Sequence, residues 1–398
     1  VTPDLDSQIG IFVYSTKFNG VGGKIRVTPE DFEVSEKILE KTQNSINQEE
    51  GYAVYKLKKK RIDTNHALSD IFRKKGIRLK SLGLKDASAI TEQFVCSGNK
   101  GKAIEDYSTE KYSLRKIGFV KKPLSKKDMI GNHFKIKISD CSDGLSSFEE
   151  TDHILNFYGY QRFGSKRPVT HLIGKALIQR NFQKAVDLIL SFTSDYDSEE
   201  NNEIREKLGD KQNYKQYLEK IPKQMDVERI VVKEMIEHDD AFTAVRAISL
   251  SLRRFYIQAY QSYIFNKSLS SAFSDGENLF EAESGDVCYD SKGIIGKFVK
   301  GMEQKLALPF VGYSYYKKTR FHPQITLVLE QEEISPKDFF IKEMQEVSSE
   351  GGFRQAAINC SDYSSHENIV EFTLSRGSFA TILLREIMKP SDPILAGF

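Results

Sequence analysis

Apolar and polar positions alternate with a period of two through most of the first 140 residues. In GKIRVTPEDFEVSEKI the apolar side chains fall at Ile25, Val27, Phe32 and Val34, broken at Pro29, which reads as strand, turn and strand. GYAVYKLKKK alternates likewise, and so do IEDYSTEKYSLRKIGF and GNHFKIKISDCS. Along ASAITEQFV the alternation puts Ala89, Thr91, Gln93 and Val95 on one strand face and Ile90 and Phe94 on the other. One helix interrupts this run. In NHALSDIFRKKGI, Ala67, Leu68, Ile71 and Phe72 recur at helical spacing and Gly76 supplies the stop.

From about residue 145 to 275 the period becomes helical. HLIGKALIQRNFQKAVDLILSF and AVRAISLSLRRFYIQAYQSYIFNKSLSSAF each keep it throughout, predicting two long helices. The polar, acidic TSDYDSEENNEIREKLGDKQNY between them predicts a surface excursion or a flexible helix. Residues 280–320 return to short segments punctuated by glycine, and NIVEFTLSRGSFATILLREIMKP reads as strand, glycine turn and short helix. That tail matches the amino-terminal material better than it matches the middle. The pattern predicts an α+β fold with a large sheet, a middle domain inserted into the first, and a chain end that completes the first. Neither repeats nor low-complexity tracts occur.

The length of 398 residues allows two or three domains. No apolar run approaches the roughly eighteen residues a membrane span needs, and VTPDLDSQIGIFVY lacks the basic-then-apolar layout of a secretory signal. Cys96, Cys141, Cys288 and Cys360 lie far apart without CxxC spacing, which predicts reduced, structural thiols and a cytoplasmic protein. The net charge of +2 conceals an asymmetry: residues 51–138 hold 22 Lys or Arg against 8 Asp or Glu, and residues 192–240 hold 8 against 14. A one-sided basic surface suits a polyanion, nucleic acid first; a solvated lysine-rich face is the plain alternative.

Four segments carry candidate chemistry. SLGLKDASAITEQFVCSG sets Lys85 and Asp86 in a glycine-marked turn before a strand whose Thr91 and Gln93 share a face; a surface turn acid would look the same. NFYGYQRFGSKRP gathers aromatic rings and basic side chains, as sites that stack bases and hold phosphates do, although an aromatic turn between domains would too. Arg26, on the predicted strand before Pro-Glu-Asp-Phe, could keep a neighbouring aspartate ionised. In LSRGSFATILLRE, Gly377 permits close approach and Phe379 could wall a pocket.

PEDFEVSE, GLKDASAITEQ, GNHFKI, NFYGYQRFG, AYQSYIFN and GSFATILLRE, in this order, resemble the TruD family of pseudouridine synthases. The resemblance touches both ends and the middle of the chain. It implies an RNA pseudouridine synthase that uses no metal or organic cofactor, acting on tRNA, in many members at uridine 13. It also implies a catalytic domain with a mixed, largely antiparallel sheet, here residues 1–170 and 360–398, with a helix-rich inserted TRUD domain at 171–359, flanking a basic cleft. The family's catalytic aspartate matches Asp86, and its basic partner matches Arg26. Its Asn-aromatic-aromatic-Gly element matches Asn156, Phe157, Tyr158 and Gly159; the second aromatic stacks on the target base and is phenylalanine in some members. Asn156 is then expected to hydrogen-bond near the aspartate or the base. Lys85, Arg162, Lys166 and Arg167 would hold the RNA, while Gln93, Gln161 and Phe379 line the pocket.

The resemblance further implies a monomer with RNA as partner and no membrane, in the cytoplasm or, in a eukaryote, also the nucleus. Two other readings stand beside the synthase: an RNA-binding or chaperone-like protein that keeps the fold without turnover, and a base-excising glycosylase. Retention of Asp86, Arg26, Asn156 and Tyr158 together favours the synthase.

Overall fold

The computed structural model describes residues 2–85 and 87–398. The amino-terminal part runs α1 (Asp4–Gln8), β1 (Phe32–Ile38), α2 (Glu40–Asn44), β2 (Tyr52–Lys59), α3 (Thr64–Lys75), β3 (Leu79–Ser81), β4 (Ile90–Ser97), β5 (Tyr107–Ser108), β6 (Tyr112–Val120) and β7 (Met129–Lys137). The middle is helical, with α4 (Thr170–Ile178), α5 (Phe182–Ser191), α6 (Glu199–Leu208), α7 (Tyr214–Tyr217), α8 (Asp226–His238), α9 (Ala241–Ala247) and α10 (Leu250–Ser274). Then follow β8 (Val287–Asp290), β9 (Ile295–Lys297), β10 (Gln304–Phe310), α11 (His322–Gln331), β11 (Gly352–Gln355), β12 (Cys360–His366), β13 (Ile369–Ser375) and α12 (Ala380–Met388).

The alternating segments of both chain ends pair into one nine-stranded sheet, ordered β12-β13-β7-β1-β4-β2-β6-β5 with β3 also on β4. β1 and β4 are parallel, with Glu33 beside Ile90, and the other pairs in this sheet are antiparallel. The parallel pair brings the Pro29–Asp31 turn and the turn before β4 to the same end of the sheet. A second sheet, β11-β10-β8-β9, stands apart.

Register decides which side chains share a face. Val34 lies opposite Thr91 and Phe134, and Phe134 opposite Phe372, so these four project to one side. Two helices cover that side. α3, capped by Asp63 and closed by Gly76 at φ 66°, packs Ala67 and Ile71 against Tyr55, Leu57, Val95 and Leu114. α12 buries Ile382, Leu383 and Ile387 in the main core with Phe134 and Phe372. The first turns of the two helices stop short of each other and leave a gap above β1 and β4.

Some expectations change. Arg26 does not lie on a strand: Lys24 makes a single bridge to Ser139, Ile25 N–H donates to Ala396, and Arg26 has φ 57°. Successive residues bond to different segments, so apolar alternation survives without a ladder. Each long helical period divides in two. Arg180 adopts φ 57° and Asn181 caps α5 through Lys184 N–H; Ile248 and Ser249 are extended between α9 and α10, where Arg253 Nε donates to the Ile248 carbonyl at 2.9 Å. The acidic tract is anchored rather than solvated, because Arg205 is buried in α6 and pairs with Asp197 and with Glu228 of α8. Among the described residues no helix is long and apolar enough to cross a membrane, and the four cysteines are unpaired.

Candidate active site

The gap between α3 and α12 holds two adjoining cavities. The inner one, of about 250 Å³, has a floor of sheet side chains: Phe32, Val34, Thr91, Asn132 and Phe134. Its walls are Arg26, the Leu84–Lys85 turn with Ala89, Gln161, and Ser378 to Thr381 at the start of α12. Segments from both ends and the middle of the chain thus meet around a space smaller than the roughly 300–1,000 Å³ typical of drug-sized ligands.

Fixed charges frame it. The Arg26 guanidinium lies 4.2 Å from the Phe32 ring centroid, and its Nη1 donates to the Gly397 carbonyl at 2.8 Å. Lys85 Nζ pairs with buried Glu36 at 2.8 Å, and the other Glu36 oxygen accepts Phe94 N–H at 2.9 Å. Thr64 Oγ1 accepts Lys85 N–H at 2.9 Å and donates to Gln93 Oε1 at 2.8 Å, while Gln93 Nε2 donates to the Gly83 carbonyl at 3.0 Å. Lys85 is therefore committed to Glu36, and Gln93 braces the turn from below instead of lining the cavity. Asp86 lies outside the described residues.

The opposite wall is built from NFYGYQRFG. Asn156 is buried; its Nδ2 donates to the Gln355 carbonyl at 3.1 Å. Arg354 of β11 grips it, with Nε on the Asn156 carbonyl at 3.0 Å and Nη2 on Asn156 Oδ1 at 2.8 Å. The same guanidinium lies 3.9 Å from the Tyr158 ring centroid, and burial pulls its pKa down. The Tyr158 ring packs edge-on against Phe265 and Phe379 at 5.8 and 5.9 Å. It lines neither cavity; Phe379 lines both. Gly159 leaves room here, since a Cβ on it would stand 2.8 Å from Thr381 Oγ1 and 3.1 Å from Phe379.

Behind this wall Tyr160 donates to Asp6 at 2.6 Å, and Arg385 pairs with Asp6 at 2.7 Å and Glu386 at 3.0 Å. Burial disfavours the Arg385 charge, yet the two carboxylates outweigh it and raise its pKa. This buried ionic group ties α1, α12 and the aromatic segment together.

Arg162 lines the outer cavity with its guanidinium 5.3 Å from the Tyr158 ring and 5.4 Å from Phe255. Lys166 is exposed, and its carbonyl accepts Ser194 Oγ. The structure does not bring Arg167 to the cavities. Its Nε and Nη2 donate to the carbonyls of Phe192, Leu188 and Ile189 at 2.7–2.8 Å, satisfying the last turn of α5. Local pattern did not single out Arg354, Phe255, Asn132 or Thr381. Glu36 had a signal: it continues the apolar series Phe32, Val34 at the next same-face position. No group of three or more His, Cys, Asp or Glu placed to share a metal ion occurs among the described residues.

A family model described as tRNA pseudouridine synthase D (TruD) matches residues 8–387. A protein of Archaeoglobus fulgidus named "Probable tRNA pseudouridine synthase D" is 31% identical, over 97% of this chain and 99% of its own. One of Pyrobaculum islandicum with the same name is 29% identical over 100% and 99%. Among solved structures, a Methanosarcina mazei protein described as TruD superposes with a TM-score of 0.81 at 28% identity, covering 99% of both chains.

Proposed function

The chain belongs to the tRNA pseudouridine synthase D (TruD) family, and from that premise we propose that it isomerises uridine to pseudouridine in tRNA, at uridine 13, with Asp86 as the reacting carboxylate. The observation that carries the reading is the inner cavity. Arg26, Lys85, Ala89, Gln161 and Phe379, from segments remote in sequence, line one space of about 250 Å³, suited to a single nucleoside extruded from its stack.

The isomerisation breaks the bond between N1 and C1′, turns the uracil and joins C5 to C1′; the C5 proton leaves and an NH remains where the ribose was attached. Positive charge develops at C1′ as the first bond breaks, so a carboxylate there serves as nucleophile at the sugar or as base. Arg26, held over Phe32, would favour the ionised carboxylate. The Lys85–Glu36 pair and the Thr64–Gln93–Gly83 bonds brace the turn that precedes Asp86. Phe379, with Tyr158 edge-on behind it, offers a ring surface for the base. Arg162, Lys166 and the basic amino-terminal block would hold the RNA backbone. The catalytic unit comprises residues 1–170 and 360–398, around an insert at 171–359. In support, all nine strands of the large sheet fall in the former and all four of the small sheet in the latter.

Chemical mapping of pseudouridine in total tRNA tests the reading. Asp86→Ala is expected to abolish product while weakening RNA binding by less than about tenfold, roughly 1.4 kcal/mol. Product formation by Asp86→Ala near the wild-type level would remove that residue from the reaction.

A further inference from the structure

The outer cavity, of about 700 Å³, is lined by Asp63, Arg162 and Phe255 and shares a wall, Leu84 and Phe379 among its residues, with the inner one. It is too large for the extruded nucleoside alone and opens directly from it. Its apolar surfaces are unusual for a solvent-facing rim: Leu84 is 67% exposed, and the Phe255 and Phe379 rings are half-buried. Arg162 stands between the Tyr158 and Phe255 rings, and burial lowers its pKa. Among the described residues it makes no ion pair and no side-chain hydrogen bond. A half-buried guanidinium held only by rings is short of an anion. Among the described residues of the cavity wall the one carboxylate is that of Asp63, which is turned to His66.

We propose that the outer cavity is a subsite for the nucleotide adjoining the target uridine, its unpaired base resting on Phe255 and the intervening phosphate on Arg162. The proposal rests on the synthase reading and extends it. Ring stacking accepts any base, and an arginine takes a phosphate oxygen through a charge-assisted bond. Two unstacked nucleotides placed side by side account for the shared wall. Holding the neighbour would keep the target from falling back into its stack. Phe255 acts here by positioning the substrate, without touching the reacting atoms.

The test pairs a protein change with an RNA change. Pseudouridine formation by wild type and Phe255→Ala is measured on substrate RNA with a normal base or an abasic ribose immediately 5′ or immediately 3′ of the target. On normal RNA, Phe255→Ala is expected to lose about tenfold in kcat/KM, carried by KM, with the thermal midpoint kept. At one flank the abasic RNA should cost the wild type a similar factor and cost Phe255→Ala nothing more. Losses that multiply at both flanks, or no loss in Phe255→Ala on normal RNA, would overturn the subsite. Absence of product from wild type on normal RNA would instead sink the synthase reading, and the subsite with it. Arg162→Gln supplies a second measure: the slope of log affinity against log salt should fall by about one. An unchanged slope would remove the phosphate contact.

Discussion

At the scale of single residues, Arg354 joins three groups that lie far from it in the chain: the Asn156 carbonyl, the Asn156 side chain and the Tyr158 ring. Only a planar fork can bond to Asn156 along one edge and stack on a ring with its face. Arg354→Lys keeps the charge and loses both, so Tyr158 and Asn156 gain freedom beside Phe379. Turnover is expected to fall roughly tenfold, about 1.4 kcal/mol of transition-state stabilisation, with KM for RNA little changed; unaltered kcat would show that the grip does not position the wall. Legibility at this scale was uneven. Asn156, Tyr158 and Phe379 stood out by motif; Glu36 did not, although it interrupts the apolar face of β1. Arg354 had no local mark, since GGFRQ is an ordinary short strand and its partners are about 200 residues away.

Among the elements, α4 and α10 cross at close range. Gly174 lies in the middle of α4, and a Cβ there would come 2.0 Å from the Tyr256 carbonyl. By helix propensity alone, Gly174→Ala should stabilise by about 0.8–1 kcal/mol. The crossing reverses the sign, because the obstacle is backbone and the helices must separate. We expect destabilisation of about 1–3 kcal/mol, read as a lower urea midpoint; a gain in stability would mean that the helices are not in such contact. The strands β2, β4, β6, β7 and β13 and the helices α3 and α12 were readable from period and turn residues. The division of the two long helical stretches was not, because Arg180 and Ile248–Ser249 break the backbone without any Gly or Pro.

For the whole molecule, stability should depend on pH through His171, which is buried at the α4–α10 contact. Its ring stacks on Tyr263 at 4.9 Å and meets Phe163 edge-on at 5.3 Å. Burial lowers its pKa to about 4, with Glu332 opposing the shift and Lys175 adding to it. In the unfolded chain a histidine titrates near 6.5. Between these values the unfolded state binds a proton that the folded state refuses, so stability falls as pH drops from about 6.5 towards 4. The slope approaches 1.4 kcal/mol per unit, on the order of 3 kcal/mol in all. Urea midpoints for wild type and His171→Phe at pH 7 and pH 5 would measure it. The wild type should lose about 2 kcal/mol more than the variant over that interval, and equal losses would show that His171 is protonated in the folded protein.

Local sequence alone determined the α+β class, most of the strands, the presence of α3 and α12, the stop of α3 at Gly76, and the run of motifs that marks the family. Those properties depend on side-chain period and turn chemistry within a few residues, which any stretch of chain displays by itself. Tertiary structure decided which strand face became the cavity floor, that Lys85 is paired with Glu36, that Arg167 closes a helix, and that Phe379 stands in front of Tyr158. It also joined a second, larger cavity to the first. Each of those outcomes depends on register and on helices meeting across hundreds of residues, where burial and close packing select partners that no local pattern names.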